Sequence, residues 1–218
     1  PKHVIDSVIQ EAIGKETLPS LFERVDKLCN GKPIDIIIGG PPCQAYSVAG
    51  RARLGKKIEE DPRNDLYKFY VEFLKRYRPK MFVFENVLGI LTAKGGEPFR
   101  DLIRLVRDYD IDFREQIASQ HGVLQKRHRV IIVGWQNKRD TQENTSYHYP
   151  YLLEEQMPYK IMKDLFCDLP IIKAGEGTLC GIVHYTKPLA DMEYLKVSGI
   201  RGVMSFTTQH IARPNNPT

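Results

Sequence analysis

Cys43, Glu85, Arg127 and Arg129 are the residues from which a reaction could be built. Cys43 follows an apolar run, 34–38, through Gly39-Gly40-Pro41-Pro42 and precedes Gln44. Two prolines fix the backbone and hold out the next side chain, so this cysteine is positioned rather than packed. A cation close by would lower its pKa from the usual value of about 8.5 and supply a thiolate nucleophile. Taken alone, a buried cysteine in a tight turn explains Cys43 equally well. Glu85 follows Phe82-Val83-Phe84. Partial desolvation among those residues is expected to raise its pKa and suit it to proton donation. Alone, a solvated acid at a strand end is the better reading. Gln125, Arg127 and Arg129 alternate within Gln125-Lys126-Arg127-His128-Arg129, just before Val130-Ile131-Ile132-Val133. In an extended segment they share one face. Two guanidinium groups and an amide there could hold a carbonyl oxygen or phosphates. The plain alternative is a solvated basic edge.

The elements that must position these groups are legible around them. Residues 34–40 predict a buried β-strand ending in glycines, and 80–86 predict another. Between them, 64–78 predict an amphipathic helix with Leu66, Phe69, Tyr70, Phe73, Leu74 and Tyr77 on one stripe, closed by Pro79. A second helix is expected over 97–109, with Pro98 in its first turn. Strands are expected at 112–118 and 128–135. This alternation predicts an α/β fold with an open, doubly wound, mostly parallel sheet. Such sheets bind ligands beyond the carboxyl ends of their strands. Residues 39–47 and 85–89 leave their strands at that end. After Trp135 the chain becomes polar, then rich in Pro, Gly and short apolar stretches. The expected division is 1–140 as one domain and 141–218 as a less regular region opening a second. Gly175, Gly177 and Gly181 resemble a phosphate loop only superficially, because the residues after them read as extended and not helical.

Composition bounds the alternatives. With 218 residues the chain can bury one sizeable core. Its longest apolar runs fall far short of the ~20 residues that span a bilayer, and its first residues have no signal-peptide pattern. The formal charge of +5 is modest. Such an excess commonly only helps solubility, but its crowding at Arg51, Arg53, Lys56 and Lys57 and again at Lys126–Arg129 is also compatible with a polyanionic partner. No two of Cys29, Cys43, Cys167 and Cys180 form a C-x-x-C pair, so no zinc site is expected. Free thiols in a reducing compartment are expected instead, with Cys29, Cys167 and Cys180 as buried apolar filler.

Taken together and in order, GGPPCQAYS (39–47), FENV (84–87) and QKRHRVIIVGW (125–135) resemble successive signature motifs of the DNA cytosine-5 methyltransferases. DPRNDLY (61–67) resembles the motif between the first two, and DLFCDLPIIKAGEG (164–177) is similar to what often follows the last. The resemblance runs from about residue 34 to 177. It implies a Rossmann-like sheet of the S-adenosylmethionine-dependent methyltransferase type, with its first strands missing here, and a second region that begins target recognition. The implied activity is methyl transfer from S-adenosylmethionine to C5 of cytosine in double-stranded DNA. In that chemistry Cys43 attacks C6 of a base flipped out of the duplex. Glu85 protonates or hydrogen-bonds N3, Arg127 holds O2, and Arg129 supports that pocket. Pro41 and Leu66 would border the methyl donor. Gln44, Ser47, Arg51, Arg53 and Gln125 would contact DNA, with 44–62 as a loop that closes over it.

The resemblance further implies a prokaryotic, cytoplasmic modification methylase without metal or membrane. A cognate restriction endonuclease would be its functional, not physical, partner. Leu124 stands where the family usually has proline. The family's glycine-rich first loop and closing motifs are not found, so the chain reads as an internal fragment of the catalytic core. Alone it is expected to be inactive and to bind the donor weakly or not at all. Family members that methylate tRNA share these motifs and are the nearest alternative. A zinc deaminase would need a cysteine where Tyr46 stands. A Cys-His hydrolase pairing Cys43 with His121 or His128 finds no third orienting group.

Overall fold

A computed structural model of the protein describes residues 7–42, 62–137, 148–155, 158–212 and 214. They fall into two compact units, one within 1–117 and 127–152 and the other within 118–126 and 153–218.

The first unit is a four-stranded sheet with helices. Its strands are β1 (Ile36–Gly39), β2 (Met81–Asn86), β3 (Tyr109–Ile117) and β4 (His128–Gln136), in the order β1-β2-β4-β3. Its helices are α1 (Leu18–Cys29), α2 (Leu66–Tyr77), the short α3 (Gly89–Thr92) and α4 (Glu97–Leu105). Alternation along β2 buries Phe82, Phe84 and Asn86 on one face. Phe82 and Phe84 join Tyr67, Tyr70, Val71 and Leu74 of α2, Leu102 of α4 and Val130 and Ile132 of β4 in the core. Burying each phenylalanine contributes up to about 3 kcal/mol. Gly134 lies opposite Phe82 in the β2–β4 register, and a methyl group there would sit 2.1 Å from the Phe82 ring.

The sheet is mixed rather than mostly parallel. β1 and β2 are parallel, but β4 runs antiparallel to both β2 and β3. The apolar run Val130–Val133 therefore occupies an interior position. β3, whose residues are largely half-buried or exposed, takes the edge. The strand expected at 34–40 is shorter and is not buried: Ile36 is 51% exposed and Ile38 75%. β1 ends the strand order, and among the described residues nothing pairs with its outer edge.

The helix expected at 64–78 begins with a 3-10 turn at Pro62–Asp65 and then runs as α2. Its buried face is Tyr67, Tyr70, Val71 and Leu74, displaced from the expected stripe. Phe73 and Tyr77 turn instead to α1, where Phe22 meets their rings at centroid distances of 5.0 and 5.9 Å. One apolar helix surface thus serves two neighbours. The second predicted helix stops at Leu105, because Val106–Asp108 turn the chain into β3.

The second unit has little regular structure. It contains a π-helical turn at Ile161–Leu165, the strand pair β5 (Ile182–His184) and β6 (Phe206–Thr208), and α5 (Glu193–Ser198). A buried ion pair between Arg201 and Asp168, 2.6 Å long, ties its segments together, and the guanidinium stacks 3.8 Å from the Tyr185 ring centroid. No helix follows Gly181; β5 does, in the extended form expected. Cys29 and Cys167 are half-buried and Cys180 is exposed, so these thiols are not buried filler. Their hosts are a helix end and irregular loops, which offer no closed apolar shell.

Candidate active site

Because β1 and β2 are parallel, their carboxyl ends coincide, with Gly39 beside Phe84. This brings the backbone leading into Cys43 alongside Glu85. Cys43 itself, with Gln44, Ser47, Arg51 and Arg53, lies outside the described residues.

Glu85 points away from the buried face of β2, since the side chains of Phe84 and Asn86 take that face. Its side chain is 38% exposed and is not sheathed by the apolar residues that precede it. On that opposite face it meets Arg129. Ile131 is the direct cross-strand partner of Glu85, which makes Arg129 its diagonal neighbour, within reach of a long side chain. The guanidinium Nε of Arg129 lies 2.5 Å from Glu85 Oε1, and its Nη1 donates to the His128 carbonyl at 2.7 Å. The carboxylate also lies against Gly40: a methyl group on that residue would come within 2.9 Å of Glu85 Oε2.

Asn86 fastens the turn from the buried side. It is 2% exposed, donates from Nδ2 to the Pro41 carbonyl at 3.2 Å and accepts the Val87 N–H at 2.8 Å. Pro41 is only two residues before Cys43. Tyr70 braces the same place from below. Its hydroxyl lies 3.1 Å from the Ile37 carbonyl and 3.0 Å from that of Val83, spanning β1 and β2. Burial pushes its phenol well above the usual tyrosine range. Its ring occupies the space above Gly39, where a methyl group would lie 2.6 Å from Cε2.

A cleft of about 630 Å³ opens beyond the end of β1. Pro41 and Leu66 both line it, with Ile13, Ile37, Pro42 and Phe73. It could take a flat apolar or aromatic group, and the purine of a nucleoside donor fits that description. Among its described walls no charged side chain is present.

Arg129 is the only member of the expected Gln125-Arg127-Arg129 face that lies within β4. Arg127 is exposed just before the strand, and Gln125 is exposed in the second unit. The three do not form one extended strand face. The residues the sequence reading missed are Gly40, Asn86 and Tyr70. The motif strings contained the first two, but their roles depend on how β1 lies against β2. Among the described residues no group of three or more His, Cys, Asp and Glu could hold a metal, and no helix is long and apolar enough to cross a membrane.

Comparisons with known proteins identify the family. Residues 20–182 match the family model for C-5 cytosine-specific DNA methylases. The type II methyltransferase M.Bpa9945I of Bacillus paralicheniformis is 33% identical over 201 residues, covering 83% of this chain and 42% of the relative. M1.HphI of Haemophilus parahaemolyticus, also a type II methyltransferase, is 32% identical over 178 residues, covering 79% and 45%. Among solved structures, a prophage-encoded DNA modification methyltransferase from E. coli matches with a TM-score of 0.51 and 29% identity, over 82% of this chain and 47% of that one. The chain spans less than half the length of these relatives.

Proposed function

We propose, for a chain that belongs to the C-5 cytosine-specific DNA methylase family, that it carries the catalytic heart of a modification enzyme methylating C5 of cytosine in double-stranded DNA. The observation that carries this reading is the placement of Glu85. It is paired to Arg129 and lies against Gly40, at the strand end from which the chain runs into Cys43.

Cytosine C5 is a poor nucleophile until a group adds at C6. The Cys43 thiolate supplies that addition, and the Pro-Pro turn, held by Asn86, presents it. Glu85 supports the cytosine ring at N3 by donating a proton or hydrogen bond as charge builds there. Arg129 fixes the rotamer of Glu85, and Arg127, exposed just ahead of β4, is the residue assigned to O2. S-adenosylmethionine, when bound, supplies the methyl group that C5 takes up. The apolar cleft with Pro41 and Leu66 is suited to its adenine. Loss of the C5 proton then expels Cys43. The reacting atoms are out of reach inside a duplex, so the base must leave the stack. Gln44, Ser47, Arg51, Arg53 and Gln125 are assigned to the opened DNA.

Residues 141–218 are read as the beginning of a target-recognition region. The type II relatives favour DNA over tRNA; a restriction endonuclease sharing its sites is read as a functional, not physical, partner. The test is product identity. The protein encoded by the complete gene is incubated with labelled S-adenosylmethionine and either duplex DNA or tRNA, and the nucleosides are separated. 5-Methyl-2′-deoxycytidine from DNA is expected. Label only in tRNA, or on the cytosine amino group, would overturn the reading.

A further inference from the structure

We propose that Gly40 is a positioning residue for Glu85, and that its lack of a side chain is what lets the carboxylate occupy its working place. This rests on the assignment of Glu85 to cytosine N3. Glycine is often required where φ is positive, but Gly40 is not among the positive-φ residues, so its backbone would accept alanine. The obstacle is spatial and local. A methyl group on Gly40 would meet Glu85 Oε2 at 2.9 Å, whereas its next neighbours, the Glu85 carbonyl oxygen and Cβ, lie at 3.6 and 3.7 Å, ordinary contact distances. All three of these nearest atoms belong to Glu85.

The collision is therefore with the far end of a flexible, partly exposed side chain. Rotating that end away relieves it with little loss of stability. The same rotation carries the carboxylate from its place and loosens the 2.5 Å pair with Arg129. Gly39 contrasts with this: a methyl group there strikes the buried Tyr70 ring at 2.6 Å, so its requirement is packing. The two adjacent glycines thus serve different ends, one the core and one the reaction.

The test is a double-mutant cycle in the protein encoded by the complete gene, using Gly40→Ala, Glu85→Gln and both together. It is read by single-turnover methylation of duplex DNA and by thermal unfolding. Gly40→Ala should keep its unfolding midpoint within about 2 °C of the parent. Its methylation step should slow by up to about 10²-fold, the scale of a misplacement near 1 Å, with DNA affinity unchanged. In the Glu85→Gln background the same substitution should cost less than about threefold, since the proton donor is already gone. Equal losses in both backgrounds, a parental rate in Gly40→Ala, or a large fall in midpoint would each overturn the proposal. A parental rate in Glu85→Gln would instead overturn the assignment of Glu85, which separates the two failures.

Discussion

Replacing Asn86 by alanine perturbs the strand end beside the Gly40–Pro42 segment that leads to the proposed nucleophile, Cys43, without touching a proposed reacting atom. The side chain is 2% exposed, and both ends of its amide are in use, one on the Pro41 carbonyl and one on the Val87 N–H. Each such hydrogen bond is worth about 1 kcal/mol net, and stranding a partner away from water adds to that. Loss of both should therefore cost about 2–4 kcal/mol. Against a typical total of about 5–15 kcal/mol the protein should remain folded. Urea unfolding followed through the single tryptophan, Trp135 in β4, measures the loss. Asn86→Asp separates the two contacts. One carboxylate oxygen can still accept from Val87, but the other faces the Pro41 carbonyl with no proton to give. Single-turnover methylation should slow in both variants while KM for DNA holds, because the turn bearing Cys43 is misplaced and the DNA surface is not. A cost below about 0.5 kcal/mol with a parental rate would show that this amide neither stabilises the strand end nor holds the turn.

Glu85→Gln should slow methylation by about 10²–10⁴-fold while leaving DNA affinity near parental; equal losses in rate and binding would assign Glu85 to DNA contact instead. Alanine at Arg51, Arg53, Lys56 and Lys57 together should weaken DNA binding at every sequence and reduce the slope of log affinity on log salt by about 0.9 for each phosphate that is no longer neutralised. An unchanged slope would take this segment off the DNA. The Tyr67 hydroxyl donates to Asp101 at 2.7 Å, and this bond is the main cause holding the Asp101 carboxyl below its ordinary value. A depressed folded pKa gives stability that is fully present above the unfolded value near 3.8 and lost as pH falls through the folded one. Tyr67→Phe should therefore lower the unfolding midpoint at neutral pH, with the gap to the parent narrowing below about pH 4. A gap independent of pH would mean the hydroxyl acts through something other than Asp101.

Much of this architecture could be read from local pattern. The apolar runs Met81–Phe84 and Val130–Val133 gave both central strands, and the Gly-Gly-Pro-Pro and Glu-Asn strings marked where β1 and β2 end. What escaped was relational. Strand direction is set by which strand pairs with which, and β4 inserts between β2 and β3. Residue order alone does not carry that placement. α1 went unread although Leu18, Leu21, Phe22 and Val25 recur at helical spacing; what the spacing does not carry is that Phe22 spends its ring on α2. Glu85 was expected to be desolvated by Phe84, yet strand alternation turns the two side chains to opposite faces. The Glu85–Arg129 pair joins residues 44 positions apart and depends on the antiparallel register of β2 and β4. Gly40 and Asn86 acquire their roles only once β1 lies beside β2.

In the proposed reaction Cys43 forms a covalent bond to the target cytosine. The most direct test of this step is incubation of the protein encoded by the complete gene with S-adenosylmethionine and a duplex carrying 5-fluoro-2′-deoxycytidine at the target position. Fluorine cannot leave C5 as the proton does, so the adduct cannot resolve once the methyl group has moved. Mass spectrometry of the digested complex should find the methylated, fluorinated nucleotide on the peptide containing Cys43, and Cys43→Ser should give none. An adduct at Cys29, Cys167 or Cys180, or full methylation by Cys43→Ser on ordinary DNA, would contradict the account.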